Sequence, residues 1–273
     1  NTLIASFLAA GSISWIYYSD RLLEFPVGVF GVALSTVVLP NLSSKSAVQN
    51  QAQFRSIVQW GIRIVLMVSI PAATGLFILS GPLIASIFLG GNFNNHDLYM
   101  TQYSLMAYAF GLIGLSLVLI LAPAYYAKQN TRTPVKFGLI AMVTNASLSI
   151  LFVTTLVFIS SPYPHMGLSL AFSCSTLINA ILLFRGLIRE KEIKIDRDEV
   201  GFFIRVLVAS MIMAGMLLFF NPELPIWLEK SLLGRAIHLM KLIPSAILVY
   251  LFTLFCIGIR LRDIRIQTNS EPL

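Results

Sequence analysis

The stretch "WIYYSDRLLEFPVGVFGVALSTVVLPNLS", residues 15–43, sets Asp20, Arg21 and Glu24 between two long apolar runs. An ionisable group at bilayer depth costs about 2.5–3.5 kcal/mol on insertion scales, so such groups are rare in spans, usually paired, turned inward and functional. The reading of this stretch therefore decides two things: whether the flanking runs cross a membrane, and what three charges do beside them.

Outward from it, the composition answers the first question. Of 273 residues, 57% are hydrophobic and only 11% charged, far from the balance of a soluble domain. Apolar stretches of about 17–25 residues cross the hydrocarbon as helices. Such stretches lie near 3–18, 23–42, 59–80, 101–123, 136–159, 166–186, 202–220 and 239–259. The expected fold class is all-α, a polytopic membrane helix bundle of about eight transmembrane helices. The net charge of +7 sits beside the spans rather than along one polar face, which assigns it to topology and excludes nucleic acid as a partner. Lys45 and Arg55, then Lys128, Arg132 and Lys136, then the segment 185–205, then Arg260, Arg262 and Arg265 mark alternate connectors. By the positive-inside rule these connectors and the C-terminus are expected in the cytoplasm, with the first span running outward.

The chain opens within an apolar run, with neither Met nor a charged leader, and is expected to be a fragment; "RLRDIRIQTNSEPL" reads as a polar end beyond the last span. Pro26, Gly28 and Gly31, Pro71 and Gly75, Gly81 and Pro82, and Pro123 interrupt the spans, as happens where neighbours or cavity water satisfy freed backbone groups. Gly28, Gly31 and Ser35 share one helix face and favour close packing. Val48, Phe54, Ile57 and Val58 recur among polar residues and fit either an interfacial helix or a plain loop. "IREKEIKIDRDEVGFF" mixes both signs and reads as a solvated linker.

Several chemistries lack their residues. Cys174 and Cys256 stand in apolar runs without paired spacing and read as small core residues. His96, His165 and His238 fall singly in three connectors and read as loop histidines, so no metal is expected. No GxSxG, HExxH or Walker motif accompanies the spans, which excludes a nucleotide-driven pump and argues against an enzyme; no cofactor is expected. Asp20 to Glu24 is i, i+4 and Arg21 to Glu24 is i, i+3, so one carboxylate can hold the guanidinium, which suits a phosphate better than lysine would. A solvated connector accommodates the same three residues. In "APAYYAKQNTRTPVKF", residues 122–137, Tyr125 and Tyr126 fit an interfacial aromatic belt, and Arg132 is a candidate contact for an anionic head group.

"YYSDRLLEFPVGVFGVALSTVVLPNLS" and "APAYYAKQNTRTPVK", with "GPLIASIF" and "GLSLAFSCSTLINAILLFRGL", closely resemble the MurJ (MviN) family of peptidoglycan lipid II flippases, within the multidrug and oligosaccharidyl-lipid exporter superfamily. The resemblance implies the C-terminal lobe, plus the last two helices, of a fourteen-helix, two-lobed transporter with a central cationic cavity. It implies residues 1–186 as lobe core with a truncated first helix, 187–201 as a cytoplasmic linker, and 202–273 as the last two helices and tail. Arg21 would match a cavity arginine that engages the lipid diphosphate, Glu24 the acid beside it, and Asp20 would join them. Some relatives hold a cation in this lobe with acidic residues; the nearest positions here, Asn1, Asn145, Ser149 and Thr176, are uncharged. The last two helices would form a groove for the polyprenyl tail. The implied function is translocation of undecaprenyl-diphosphate-linked disaccharide-pentapeptide to the periplasmic leaflet of a bacterial inner membrane. The implied partners are lipid II, membrane lipids and cell-wall synthesis enzymes. Two other readings stay open: an exporter of another polyprenyl-linked glycan or drug, and a non-transporting scaffold for cell-wall enzymes, which would not need inward charges.

Overall fold

The computed structural model describes residues 1–31, 51–193 and 196–260. Its elements are α1 (Thr2–Ala5), α2 (Ser12–Pro26), a π-helical turn (Val27–Gly31), α3 (Gln51–Ile78), α4 (Ser80–Ile87), α5 (Asn95–Ala127), α6 (Arg132–Phe158), α7 (Met166–Arg189), α8 (Arg197–Phe220), α9 (Leu224–Glu229) and α10 (Leu232–Cys256). Six of them, α3, α5, α6, α7, α8 and α10, are long and apolar enough to cross a membrane, matching six of the expected spans.

The other two expected spans differ. Residues 3–18 do not form one helix: α1 stops at Ala5, the chain turns, and α2 starts at Ser12 behind Gly11 at φ +100°. Gly11 is required there, because a Cβ would lie 2.6 Å from the Trp15 ring. α2 then runs unbroken through residues 19–22, where a connector was expected. Ser12, Trp15, Ser19 and Leu23 are buried at helical spacing, so one apolar-facing stripe passes straight through the charged cluster. Residues 32–42 of the second expected span, with Ser35, lie outside the described residues, as do Lys45 and Val48.

The long helices alternate in direction. Gln51, Lys128, Arg132, Glu190 and Arg197 stand at helix ends on one side of the bundle, the basic end; Asn95, His165, Asn221 and Leu232 stand at the other, the histidine end. α5 is central, between α2, α3 and α7. Gly111 and Gly114 let α7 come into backbone contact: a Cβ would sit 2.9 Å from Ser173 Cα at the first and 2.6 Å from Leu177 N at the second. α8 and α10 pack on α3 and α4 through a separate cluster that includes Ile70, Leu79, Val206, Trp227 and Leu242. The helices α5, α6 and α7 end alike, with Gln129, Ser160 and Lys191 at φ 60°, 53° and 59°. In each, the following N–H reaches back five residues to a helical carbonyl, as in Asn130 to Tyr125 and Glu192 to Leu187.

Packing overturns several local readings. Phe54, Ile57 and Val58 belong to unbroken α3 and are buried with Ile120, Leu121 and Leu187, so that segment is neither interfacial helix nor loop. Tyr125 is wholly buried and its hydroxyl donates to the Leu183 carbonyl at 2.9 Å; of the two tyrosines only Tyr126, which is exposed, suits an aromatic belt. Cys256 is exposed and Cys174 half-buried, so neither is a core residue. Pro71 and Pro123 lie inside continuous helices, while the break before Gly81 separates α3 from α4.

Candidate functional site

The buried stripe of α2 locks to α5. Trp15 Nε1–H donates to Asp97 Oδ1 at 2.8 Å, and the Ser19 hydroxyl lies 2.9 Å from the Thr101 carbonyl. Leu23 packs on Tyr108 and Leu112. Asp97 is itself held by a reciprocal capping box with Asn94, which fixes the first turn of α5. The opposite face of α2 is left open, with Ile13, Tyr17 and Phe25 exposed at four-residue intervals and Arg21 in the same row.

On that open face Arg21 Nη1 donates to Glu24 Oε2 at 2.7 Å, and both side chains are 54% exposed. The guanidinium carbon stands 4.8 Å from the centre of the Tyr17 ring. A carboxylate one turn ahead and a ring one turn behind thus orient the fork. An exposed pair of this kind contributes little to stability. Its charge is available to a ligand. Asp20 is half-buried, and among the described residues no cation lies within ion-pair distance of it. Of the two acids in reach, Glu24 is the one that holds Arg21.

Arg132 is exposed at the first turn of α6, at the basic end. Ser19 bonds the Thr101 carbonyl and Leu23 packs on Tyr108, so Arg21 stands level with residues 101–108 of α5, and the two arginines are roughly 30–40 Å apart at 1.5 Å per residue along α5. They cannot share one phosphate.

Within the mixed-charge segment Glu190, Glu192 and Glu199 are held in ion pairs, while Lys191, Asp196, Arg197 and Asp198 are exposed. Glu192 is 3% exposed and accepts from Lys128 Nζ at 3.0 Å, with Arg55 Nε at 3.8 Å; Lys128 also meets Glu190 at 2.6 Å. Burial works against the charge on Lys128, but the bonds to Glu190 and Glu192 outweigh it and raise its pKa. Further along, Arg63 grips both oxygens of Glu199, with Nε at 2.9 and 3.1 Å and Nη2 at 2.7 Å. Residues 194 and 195 lie outside the described residues.

Two histidines expected in loops instead flank Trp15, with ring centres 5.6 Å away for His96 and 5.0 Å for His165. His165 is buried and its Nε2 donates to the Met100 carbonyl at 2.9 Å. Burial lowers its pKa, partly opposed by that carbonyl. Asn1, Asn145 and Ser149 do come together, at 3.4 and 3.2 Å from Asn1 Oδ1, while Thr176 bonds helix carbonyls elsewhere. Among the described residues no three His, Cys, Asp or Glu side chains group as metal ligands.

The family model described as lipid II flippase MurJ matches residues 1–236. The chain belongs to the MurJ family. Curated relatives agree across nearly its whole length. A probable lipid II flippase MurJ of Haemophilus influenzae is 42% identical over 95% of this chain and 51% of its own. One of Vibrio cholerae is 41% identical over 98% and 50%. The lipid II flippase MurJ of Burkholderia cenocepacia is 35% identical over 80% and 41%. A solved structure described as lipid II flippase MurJ in an inward closed conformation matches with a TM-score of 0.74 at 27% identity, over 92% of this chain and 48% of that one. The chain thus spans about half the length of the MurJ relatives it matches, and it is a multi-pass, all-helical membrane protein of a flippase family.

Proposed function

We propose that this chain forms one lobe of a lipid II flippase, with the open face of α2 lining the passage for the lipid diphosphate. The carrying observation is the Arg21–Glu24 pair, helix-anchored behind by Trp15 and Ser19 and more than half exposed in front. Arg21 would donate to two phosphate oxygens at once, which a fork can do and an ammonium cannot. Glu24 and Tyr17 hold that fork ready, and Asp20 lies beside it as an acceptor for sugar or peptide donors. No bond of the cargo is made or broken. The membrane is a bacterial inner membrane, the basic end with Arg132 faces the cytoplasm, and Arg132 meets lipid head groups there. The division into a core of residues 1–186, a linker of 187–201 and a final helical pair in 202–273 fits the separate cluster through which α8 and α10 dock. Rocking of lobes around a fixed site would carry the head group across while the tail stays in lipid.

Cells relying on the whole protein with Arg21→Ala should stop exporting cell-wall precursor while the protein stays in the membrane at normal abundance. Arg21→Lys should rescue in part, and Glu24→Gln should be milder, because an amide oxygen still accepts from the guanidinium. Normal growth of the Arg21→Ala cells at wild-type abundance would remove Arg21 from the site.

A further inference from the structure

A polar cavity of about 470 Å³ opens between α3 and α8, lined among others by Arg63, Arg197, Asp198, Glu199, Gly201 and Arg205. Its size is that of a small-molecule site, about 300–1,000 Å³. It lies on the basic-end halves of both helices, away from the α2 face. We propose that it seats the phosphodiester of a monoanionic phospholipid head group, of the phosphatidylglycerol class, drawn from the leaflet at that end. This rests on neither the cargo nor the sidedness assigned above.

The charges in the cavity are unequal in their availability. Glu199 takes three bonds from Arg63, closing one neutral pair. Arg197 and Arg205 are both exposed, and among the described residues no carboxylate lies within ion-pair distance of either. They stand eight residues apart on one face of α8, with Gly201 midway. A Cβ at Gly201 would meet nothing within 4 Å, so the α8 surface between the two arginines is uncovered where all three residues line the cavity. Three guanidinium and two carboxylate groups leave one net positive charge, which a single phosphodiester neutralises. Asp198 then remains as an acceptor for head-group hydroxyls, which a glycerol head has and a choline head lacks.

Position supports a lipid. Arg205 is eight residues inside α8, about 12 Å at 1.5 Å per residue, a depth at which a lipid phosphate of the same leaflet is within reach of its long side chain. Basic pockets between membrane helices bind phospholipid head groups, and an arginine fork matches phosphate geometry. The positive pole at the start of α8, where Arg197 lies, adds to the same field.

The test uses the whole protein in phosphatidylcholine nanodiscs containing a graded fraction of phosphatidylglycerol or phosphatidylethanolamine, with retained lipid counted by native mass spectrometry. Wild type should retain phosphatidylglycerol in preference to both others. Replacing two charge-assisted contacts in Arg197→Gln/Arg205→Gln should weaken that retention about tenfold or more. Gly201→Leu, which removes no charge and whose Cβ meets nothing within 4 Å, should weaken it as well by filling the space. An unchanged preference in both variants would overturn the site and leave the arginines as heads reaching for water. Equal retention of phosphatidylethanolamine by wild type would overturn selection for net charge, and full displacement of the lipid by water-soluble glycerol phosphate would assign the cavity to a free phosphate instead. Should the double variant fail to fold, Gly201→Leu and the wild-type competition still decide.

Discussion

Arg21 and Arg235 show what the same side chain does in an open and in a closed region. On the open face of α2, Arg21 gives one bond to an exposed carboxylate and leans on an exposed ring. In the corner where α4, α9 and α10 meet, Arg235 is 7% exposed and its donors are occupied: Nε by the Trp227 carbonyl at 2.9 Å, Nη1 by Ala85 at 2.9 Å and Nη2 by Leu228 at 2.8 Å. Those carbonyls belong to the last turns of α4 and α9, where helices leave acceptors unmet and carry partial negative charge. Arg235 therefore serves as a shared cap for two helix ends. The difference teaches that a guanidinium with its fork filled by backbone belongs to the fold, whereas one with its fork oriented but open belongs to a ligand.

The largest effect is expected from Arg235→Met, which keeps the apolar stem, strips the Ala85 and Leu228 carbonyls of this donor and leaves the Trp227 carbonyl with only the 3.3 Å bond from the Lys230 N–H. At about 1–3 kcal/mol per unsatisfied group, a loss of roughly 3 kcal/mol or more is expected, read as a lower melting midpoint and lower abundance in the membrane. An unchanged midpoint would show that water or another donor replaces the fork.

A smaller effect should come from acid, at the back of the open region. The folded state depresses the pKa of His165, so the unfolded chain binds its proton more readily. The stability that this site contributes is complete above about pH 6.5 and declines as pH falls toward the lower folded value. Trp15 emission should therefore change below pH 6.5 in wild type, and His165→Gln should reduce the change, with His96 still beside the same ring. A transition confined to alkaline pH would reverse the sign.

The smallest effect on stability should come from Arg21→Ala. Its pair is exposed on both sides, so the melting midpoint should match wild type within error even where transport is lost. Co-loss of melting temperature and transport would place Arg21 with Arg235 and close the gap between the two regions.

The spacing of Arg21 and Glu24 was legible because i, i+3 neighbours meet on any helix, whatever surrounds it. That Asp20 stays out of the pair was not. The reversal at residues 6–11 was equally hidden, since in "SFLAAG" only Ser6 and Gly11 are turn residues within an apolar run, and the hairpin is buttressed by Trp15 packing onto Gly11. Glu192 in the mixed-charge linker read as solvated because nothing near it in the chain announces that Lys128 and Arg55 will arrive beside it.

The membrane-spanning, all-helical character and the family follow from the order of residues without the fold. Both rest on local quantities: apolar content summed over about 20 residues, and motifs read in order. The tertiary structure alone decided which arginine is a cap and which is open, which histidines stand against Trp15, and where a cavity remains. Those outcomes depend on partners distant in the chain, 82 residues from Trp15 to Asp97 and 150 from Ala85 to Arg235, and burial is a property of such meetings rather than of either residue alone.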